Sequence, residues 1–205
     1  MANFTDLTGL ASVAIATVAT VLLMPQTARL AKPHLAALLG AVFVLMLIPF
    51  GELPLAGYLR GMAGDLSITT LVLMGCALLK PWFGCGTGDT SNRHAQLMLI
   101  ALAALALYPM ALGAGTFDPY RLGYGDPQFI AALLLVALSA WIWKHYSIAL
   151  CIAFATFAWA AGWYESGNIW DYLLDPWVAI YALFVITLHS VKRLLQHGKT
   201  HETRS

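Results

Sequence analysis

Apolar residues in this chain come in long runs separated by short polar interruptions, at roughly 8–24, 35–50, 66–80, 95–114, 127–143, 147–163 and 176–190. An untilted helix needs about 20 mainly apolar residues to cross the hydrocarbon core of a bilayer, and these runs reach or approach that length. The pattern predicts an all-α fold, a polytopic membrane helix bundle of about seven transmembrane helices. The third run, "LSITTLVLMGCALL", is the shortest, and it spans only if "KPWF" extends it or the bilayer thins locally.

Composition points the same way. Hydrophobic residues are 60% of the 205, charged residues 10%, and mean hydropathy is +0.74, outside the balance of a soluble domain. The longest connections, at about 51–65, 81–94 and 115–126, are too short to hide a soluble domain. The chain therefore divides into a membrane domain over 1–191 and a basic tail over 192–205, "KRLLQHGKTHETRS", expected to be mobile and to anchor at an anionic inner leaflet.

Charge fixes the orientation. With loops assigned alternately to the two sides, Arg29, Lys32, Lys80, Arg93, Lys144, Lys192, Arg193, Lys199 and Arg204 fall on one side, and Arg60 and Arg121 on the other. Cytoplasmic loops carry the basic excess, so the N-terminus is expected outside and the C-terminus in the cytoplasm. Acids sort oppositely: Asp6, Glu52, Asp65, Asp118, Asp126, Glu165, Asp171 and Asp175 lie outside, Asp89 and Glu202 inside. The outer face sums to 2 − 8 = −6 and the inner to 9 − 2 = +7, recovering the net +1. So acidic an outer face repels polyanions, and nucleic acid is not an expected partner. The opening "MANFTDLTGL" has no basic residue before its apolar run and no small-residue cleavage pattern, so the first helix is expected to stay as a span. Cys76, Cys85 and Cys151 form no C-x-x-C and are expected to be packing residues.

Small residues suggest which helices pack closely. Ala149, Ala153, Ala160 and Ala161 of the sixth run, and the similar fourth run, place both inside the bundle, and Pro109 is expected to kink the fourth. Asp6, Asp65, Asp126 and Asp175 each precede or open an apolar run that starts outside, where a carboxylate caps a helix; Pro127 and Pro176 follow two of them.

Glu52, Asp118, Glu165 and Asp171 remain, with Arg60 and Arg121. Arg60 lies in "FGELPLAGYLRGMAGD", an interfacial or re-entrant stretch, and Arg121 in the turn-rich "GTFDPYRLGYGD". In "YESGNIWDYLLDP", Trp170 and Tyr172 have the character of headgroup-level anchors. One reading is an aromatic belt with inter-loop ion pairs. The sharper reading is a composite ligand site of Arg60, Arg121, Glu52, Asp118, Glu165, Trp170, Asp171 and Tyr172, in which the arginines grip a phosphate and the carboxylates an amine or sugar hydroxyls. The same carboxylates would serve a lipid-modifying transferase or hydrolase as acid and base.

The helix interiors hold no Asp, Glu, Lys or Arg, which disfavours a pump, and the last run offers no lysine for a retinal Schiff base. His34, His94, His145 and His189 sit at cytoplasmic helix ends, where a haem-binding electron carrier is a further alternative. No metal-binding motif is present, so no metal or cofactor is expected. "FGCGTGDTSNR" lacks the lysine and strand of a P-loop and reads as a flexible connection.

The stretches "YLRGMAGDLSITTL" and "NIWDYLLDPWVAIYAL" resemble segments from the membrane domains of lipoteichoic-acid-synthase-like phosphoglycerol and phosphoethanolamine transferases. Those enzymes work through an extracytoplasmic catalytic domain that this sequence does not contain. The resemblance implies a membrane module acting at phospholipid headgroups, with any catalytic partner on another chain. The expectation is a multi-pass accessory or binding protein of a bacterial cytoplasmic membrane, whose partners are a membrane lipid or another membrane protein. Asn3 of an N-x-T sequon leaves a eukaryotic source open.

Overall fold

The structure, a computed structural model, describes residues 4–84 and 90–202. It is all-α: among the described residues there are nine α-helices, two 3-10 turns and one minimal hairpin. In order these are α1 (Phe4–Leu22), the turn Thr27–Arg29, α2 (Lys32–Leu47), β1 (Pro49–Phe50), β2 (Leu53–Pro54), α3 (Leu55–Ala63), α4 (Ile68–Phe83) and α5 (Thr90–Ala111). The turn Pro119–Gly123, α6 (Pro127–Ile142), α7 (Tyr146–Ala160), α8 (Ile169–Leu173) and α9 (Pro176–Glu202) complete the chain.

Each of the seven apolar runs falls in one long helix, α1, α2, α4, α5, α6, α7 or α9. Two of them, α1 over Thr5–Leu22 and α5 over Ser91–Ala111, are long and apolar enough to cross a membrane by length and composition. α2, α4 and α6 have 16 residues each and α7 has 15, about 24 Å of rise or less. "KPWF" does extend the third run: α4 continues through it and stops at Gly84, whose left-handed φ of 61° suits a residue without Cβ. Pro109 lies in the last turn of α5, where it marks the helix end. The basic tail begins as a continuation of α9, which runs unbroken past residue 192 to Glu202. Asn3, Cys85, Asp89, Arg204 and the middle of the "FGCGTGDTSNR" loop lie outside the described residues.

Neighbouring helices pair antiparallel through short links, α1 with α2 and α6 with α7, while α5 pairs with α9. α4 lies between α1 and α7, and α7 also touches α5, α6 and α8. The core consists of small residues against branched ones: Ala101 and Ala104 of α5 meet Val178, Ala179 and Ala182 of α9, and Ala155 and Ala158 of α7 meet Ile68 of α4. The alanines that let α7 approach its neighbours are thus Ala149, Ala155 and Ala158; Ala153, Ala160 and Ala161 face outward, because the buried face of a helix repeats every three or four residues and these fall between its turns. Neither α5 nor α7 is enclosed on all sides. Leu102 and Leu105 of α5 and Phe154 and Phe157 of α7 are more than half exposed, as are Leu135 of α6 and Phe184 of α9. Outward apolar faces of this extent suit a lipid surrounding.

At one end of the bundle, Asp175 fastens α4 to α9. It is only 2% exposed. Its Oδ1 accepts from the Val178 N–H at 2.8 Å, capping α9, and its Oδ2 accepts from the Ser67 N–H at 2.9 Å, Ser67 Oγ at 2.7 Å and Thr70 Oγ1 at 2.5 Å. Ser67 in turn caps α4 by accepting from the Thr70 N–H. A buried carboxylate is tolerated only when its oxygens are satisfied, and here two helix N-termini with their positive dipole ends do so. Replacing Asp175 by Ala orphans these donors, and we expect a loss of about 3 kcal/mol in unfolding free energy, read as a lower melting temperature in detergent micelles.

Candidate functional site

The connections from α2 to α4, from α5 to α6 and from α7 to α9 fold into a polar layer over that end of the bundle, and its residues fall into two groups. In the first, Arg60 sits on α3, which packs on α1 and α2. Its guanidinium bonds Asp65 with two nitrogens, at 2.6 and 3.1 Å, and reaches Asp6 of α1 at 3.3 Å. Hydrogen bonding to Asp65 outweighs desolvation and raises its pKa further. Gly9 makes room for it, since a Cβ there would collide with the guanidinium. Asp65 and Asp6 are therefore ion-pair partners. The expected capping role fails for Asp65 because Ser67, directly before the helix, occupies the capping position. Glu52 is exposed at the tip of the β1–β2 hairpin, where Gly51, at φ 79°, makes the turn.

The second group is formed by the 3-10 turn Pro119–Gly123, α8 and the loop between α7 and α8. Asp118 caps the turn by accepting from the Tyr120 N–H at 2.9 Å. Asp171 accepts from Tyr120 Oη at 2.9 and 3.1 Å and from Ser166 Oγ at 2.5 Å. Asn168, fully buried, donates from Nδ2 to the Tyr120 carbonyl and accepts from the Trp170 N–H, tying α8 to the turn. Gly123 is obligatory here, because any Cβ would overlap the Asn168 side chain. Trp170 donates from Nε1 to the Pro119 carbonyl at 3.0 Å and packs on Phe129 of α6, ring centres 4.7 Å apart.

Tyr172 is not a headgroup anchor. It is wholly buried, stacked on Tyr164 with centres 5.1 Å apart, and its hydroxyl donates to the carbonyls of Tyr164 and Ser166 while accepting from the Tyr164 N–H. An aromatic next to a short helix satisfies the anchor pattern equally well from inside a core, and packing against Ile68, Ala155 and Ala158 decides the matter. Tyr164 Oη donates to the Leu66 carbonyl at 2.8 Å, binding this loop to the start of α4. Asp126 keeps its expected role, Oδ1 accepting from the Gln128 and Phe129 N–H groups.

Arg121 and Glu165 are both exposed, and among the described residues neither side chain makes an ion pair or hydrogen bond. Thus Arg121, Asp118, Trp170, Asp171 and Tyr172 come into one connected layer with Glu165 on its edge. Arg60 and Glu52 lie on the α1–α3 side. Below Trp170 an apolar cavity of about 250 Å³ opens among α4, α5, α6, α7 and α8.

At the opposite end the four histidines do not converge. The rings of His94 and His189 touch, centres 4.9 Å apart, leaving no room for a macrocycle between them; His145 Nδ1 bonds Asn92 Oδ1 at 2.7 Å; His34 is exposed on α2. Among the described residues no three His, Cys, Asp or Glu side chains gather as metal ligands. Of the cysteines, Cys151 is buried and accepts from Gln96 Nε2 at 3.3 Å, and Cys76 is partly buried.

Sequence reasoning missed Ser67, Asn168 and Gly123. The first two stand immediately before their helices, the ordinary position of a cap, so that signal was available; nothing local marks Gly123. Compared with known proteins, the chain matches no family model, no curated protein and no solved structure.

Burial, the largest cause in each case, raises the phenol pKa values of Tyr164, Tyr120 and Tyr172. The folded protein then keeps these protons to higher pH than the unfolded chain, whose tyrosines release theirs near about pH 10. Stability is full below that pH and falls as pH rises toward the folded-state values. We expect the melting temperature to drop above about pH 10 and the Tyr164→Phe variant to show a shallower drop. Gly123→Ala should cost about 1–3 kcal/mol in the same melts, from overpacking against Asn168.

Proposed function

We propose that the chain is a seven-span protein of a bacterial cytoplasmic membrane, N-terminus outside, and that its outer layer binds the headgroup of a membrane lipid. The observation that carries this reading is the contrast between the two outer arginines. Arg60 is held by Asp65 and Asp6 and serves the fold, whereas Arg121 is exposed, has no ion-pair partner among the described residues and stands on the turn that joins α5 to α6. A guanidinium presented this way at a membrane boundary is suited to a phosphate diester.

Binding is favoured over the transferase or hydrolase alternative. Asp118 and Asp171 are occupied by hydrogen bonds that shape the layer, and Glu52 is on the α1–α3 side, away from Arg121. The resemblance to lipoteichoic-acid-synthase-like membrane domains fits this reading. Its two stretches, residues 58–71 and 168–183, are linked through Ser67, Thr70 and Asp175, and what it implies is work at phospholipid headgroups.

A native mass spectrum of protein gently extracted from its own membrane tests the proposal. Wild type should retain a lipid-sized mass; Arg121→Ala should lose it by about tenfold or more, the worth of a charge-assisted hydrogen bond, and Arg60→Ala should keep it while melting earlier. A second polypeptide with no retained lipid would instead point to a protein partner.

A further inference from the structure

We infer that the cavity between α5 and α6 seats one acyl chain of a zwitterionic phospholipid, its phosphate at Arg121; this rests on the headgroup site proposed above. α6 packs on α7 and α5 on α9 and α7, so a gap remains between α5 and α6. The cavity fills this gap. Leu99 of α5 and Ala132 and Val136 of α6 form an exposed rim, so the opening faces sideways, where lipid tails are.

Along α6 the lining runs from Phe129 to Val136, about 10 Å of helix rise, and it continues to Ile148 and Gln96 near the far ends of α7 and α5. The shape is a slot along the bundle. A methylene takes about the room of a water molecule, some 30 Å³, so about 250 Å³ holds on the order of eight of them. Two of the polar side chains that line it are already bonded, Gln96 Nε2 to Cys151 Sγ and Trp170 Nε1 to the Pro119 carbonyl, and Thr69 adds a single hydroxyl. A polar substrate would find little to hold it there, and an alkyl chain loses nothing.

The headgroup follows from charge. Trp170 lines the cavity and hangs from the turn that carries Arg121, so a chain in the slot brings its phosphate to that turn. Asp118 and Asp126 flank the turn, Asp171 bonds it through Tyr120 and Glu165 is exposed on the loop before α8, so an anionic headgroup would meet more acids than Arg121 alone offsets. A headgroup with its own ammonium supplies one: the phosphate faces Arg121 and the ammonium faces the carboxylates. Phosphatidylethanolamine has this chemistry. Because hydrophobicity does not drive association among lipid tails, retention depends on packing in the slot together with the headgroup contact.

The test uses full-length protein in detergent micelles and phosphatidylethanolamine carrying a diazirine midway along one acyl chain. After illumination, peptide mass spectrometry should find saturable labelling concentrated on residues 96–103 and 129–136. Unlabelled phosphatidylethanolamine should compete and phosphatidylglycerol should not. Ala132→Trp, at the exposed rim, should reduce labelling about tenfold, while Ala131→Trp, its exposed neighbour outside the lining, should not. Labelling spread over the outer helix faces, or indifferent to Ala132→Trp, overturns the chain seat; equal competition by phosphatidylglycerol overturns the zwitterionic assignment. If labelling misses the slot while Arg121→Ala still releases lipid in the native spectrum, the headgroup site stands and the chain seat falls. If neither variant changes bound lipid, both fall.

Discussion

Asp175 accepts hydrogen bonds from the first turns of two helices, one oxygen serving Val178 of α9 and the other Ser67 and Thr70 of α4, in a place closed to water. Each helix start has unsatisfied N–H groups and a positive dipole end, and a single carboxylate answers both. The constraint propagates outward. α8 ends two residues before Asp175, so fixing that residue sets Tyr172 under Tyr164, and Tyr164 reaches back to the carbonyl of Leu66 beside Ser67. The loop between α7 and α8 is thereby closed into a ring of contacts that returns to the helix where it began.

On this frame hangs the second tier of the layer. Asn168 and Trp170, carried by α8, hold the Pro119–Gly123 turn by its backbone carbonyls, and Asp171 holds Tyr120 by its hydroxyl. Arg121 is presented by a turn fixed on both flanks, while its own side chain is left exposed. The same Trp170 roofs the slot between α5 and α6. Rigid support beneath an exposed cation and an apolar slot beside it suit a ligand that is half polar and half hydrocarbon.

The helices were legible in the sequence because a run of apolar residues with few interruptions carries its own signal, and each run became one helix. Short-range chemistry was legible too: Asp126 and Asp175 cap as Asp-Pro predicts. What could not be read was which side of a loop faces inward. Tyr172 has the composition of an interfacial anchor and the position of a core residue, and only the distant Ile68 and Ala155 distinguish the two. Likewise Asp65 and Ser67 are two residues apart and both are good caps, so the choice rests on Arg60, which draws Asp65 away. The composite site of eight residues separated for the same reason. Loops alike in composition are supported by different helices, α1 and α2 for Arg60, α5 and α8 for Arg121.

An electron cryomicroscopy map of the protein in phosphatidylethanolamine nanodiscs, enlarged with a bound antibody fragment, tests the lipid site most directly. A tubular density is expected between α5 and α6 beneath Trp170, continuous with headgroup density at Arg121. A gap closed by α5 against α6, or an empty slot with Arg121 engaged by a protein carboxylate, would contradict it.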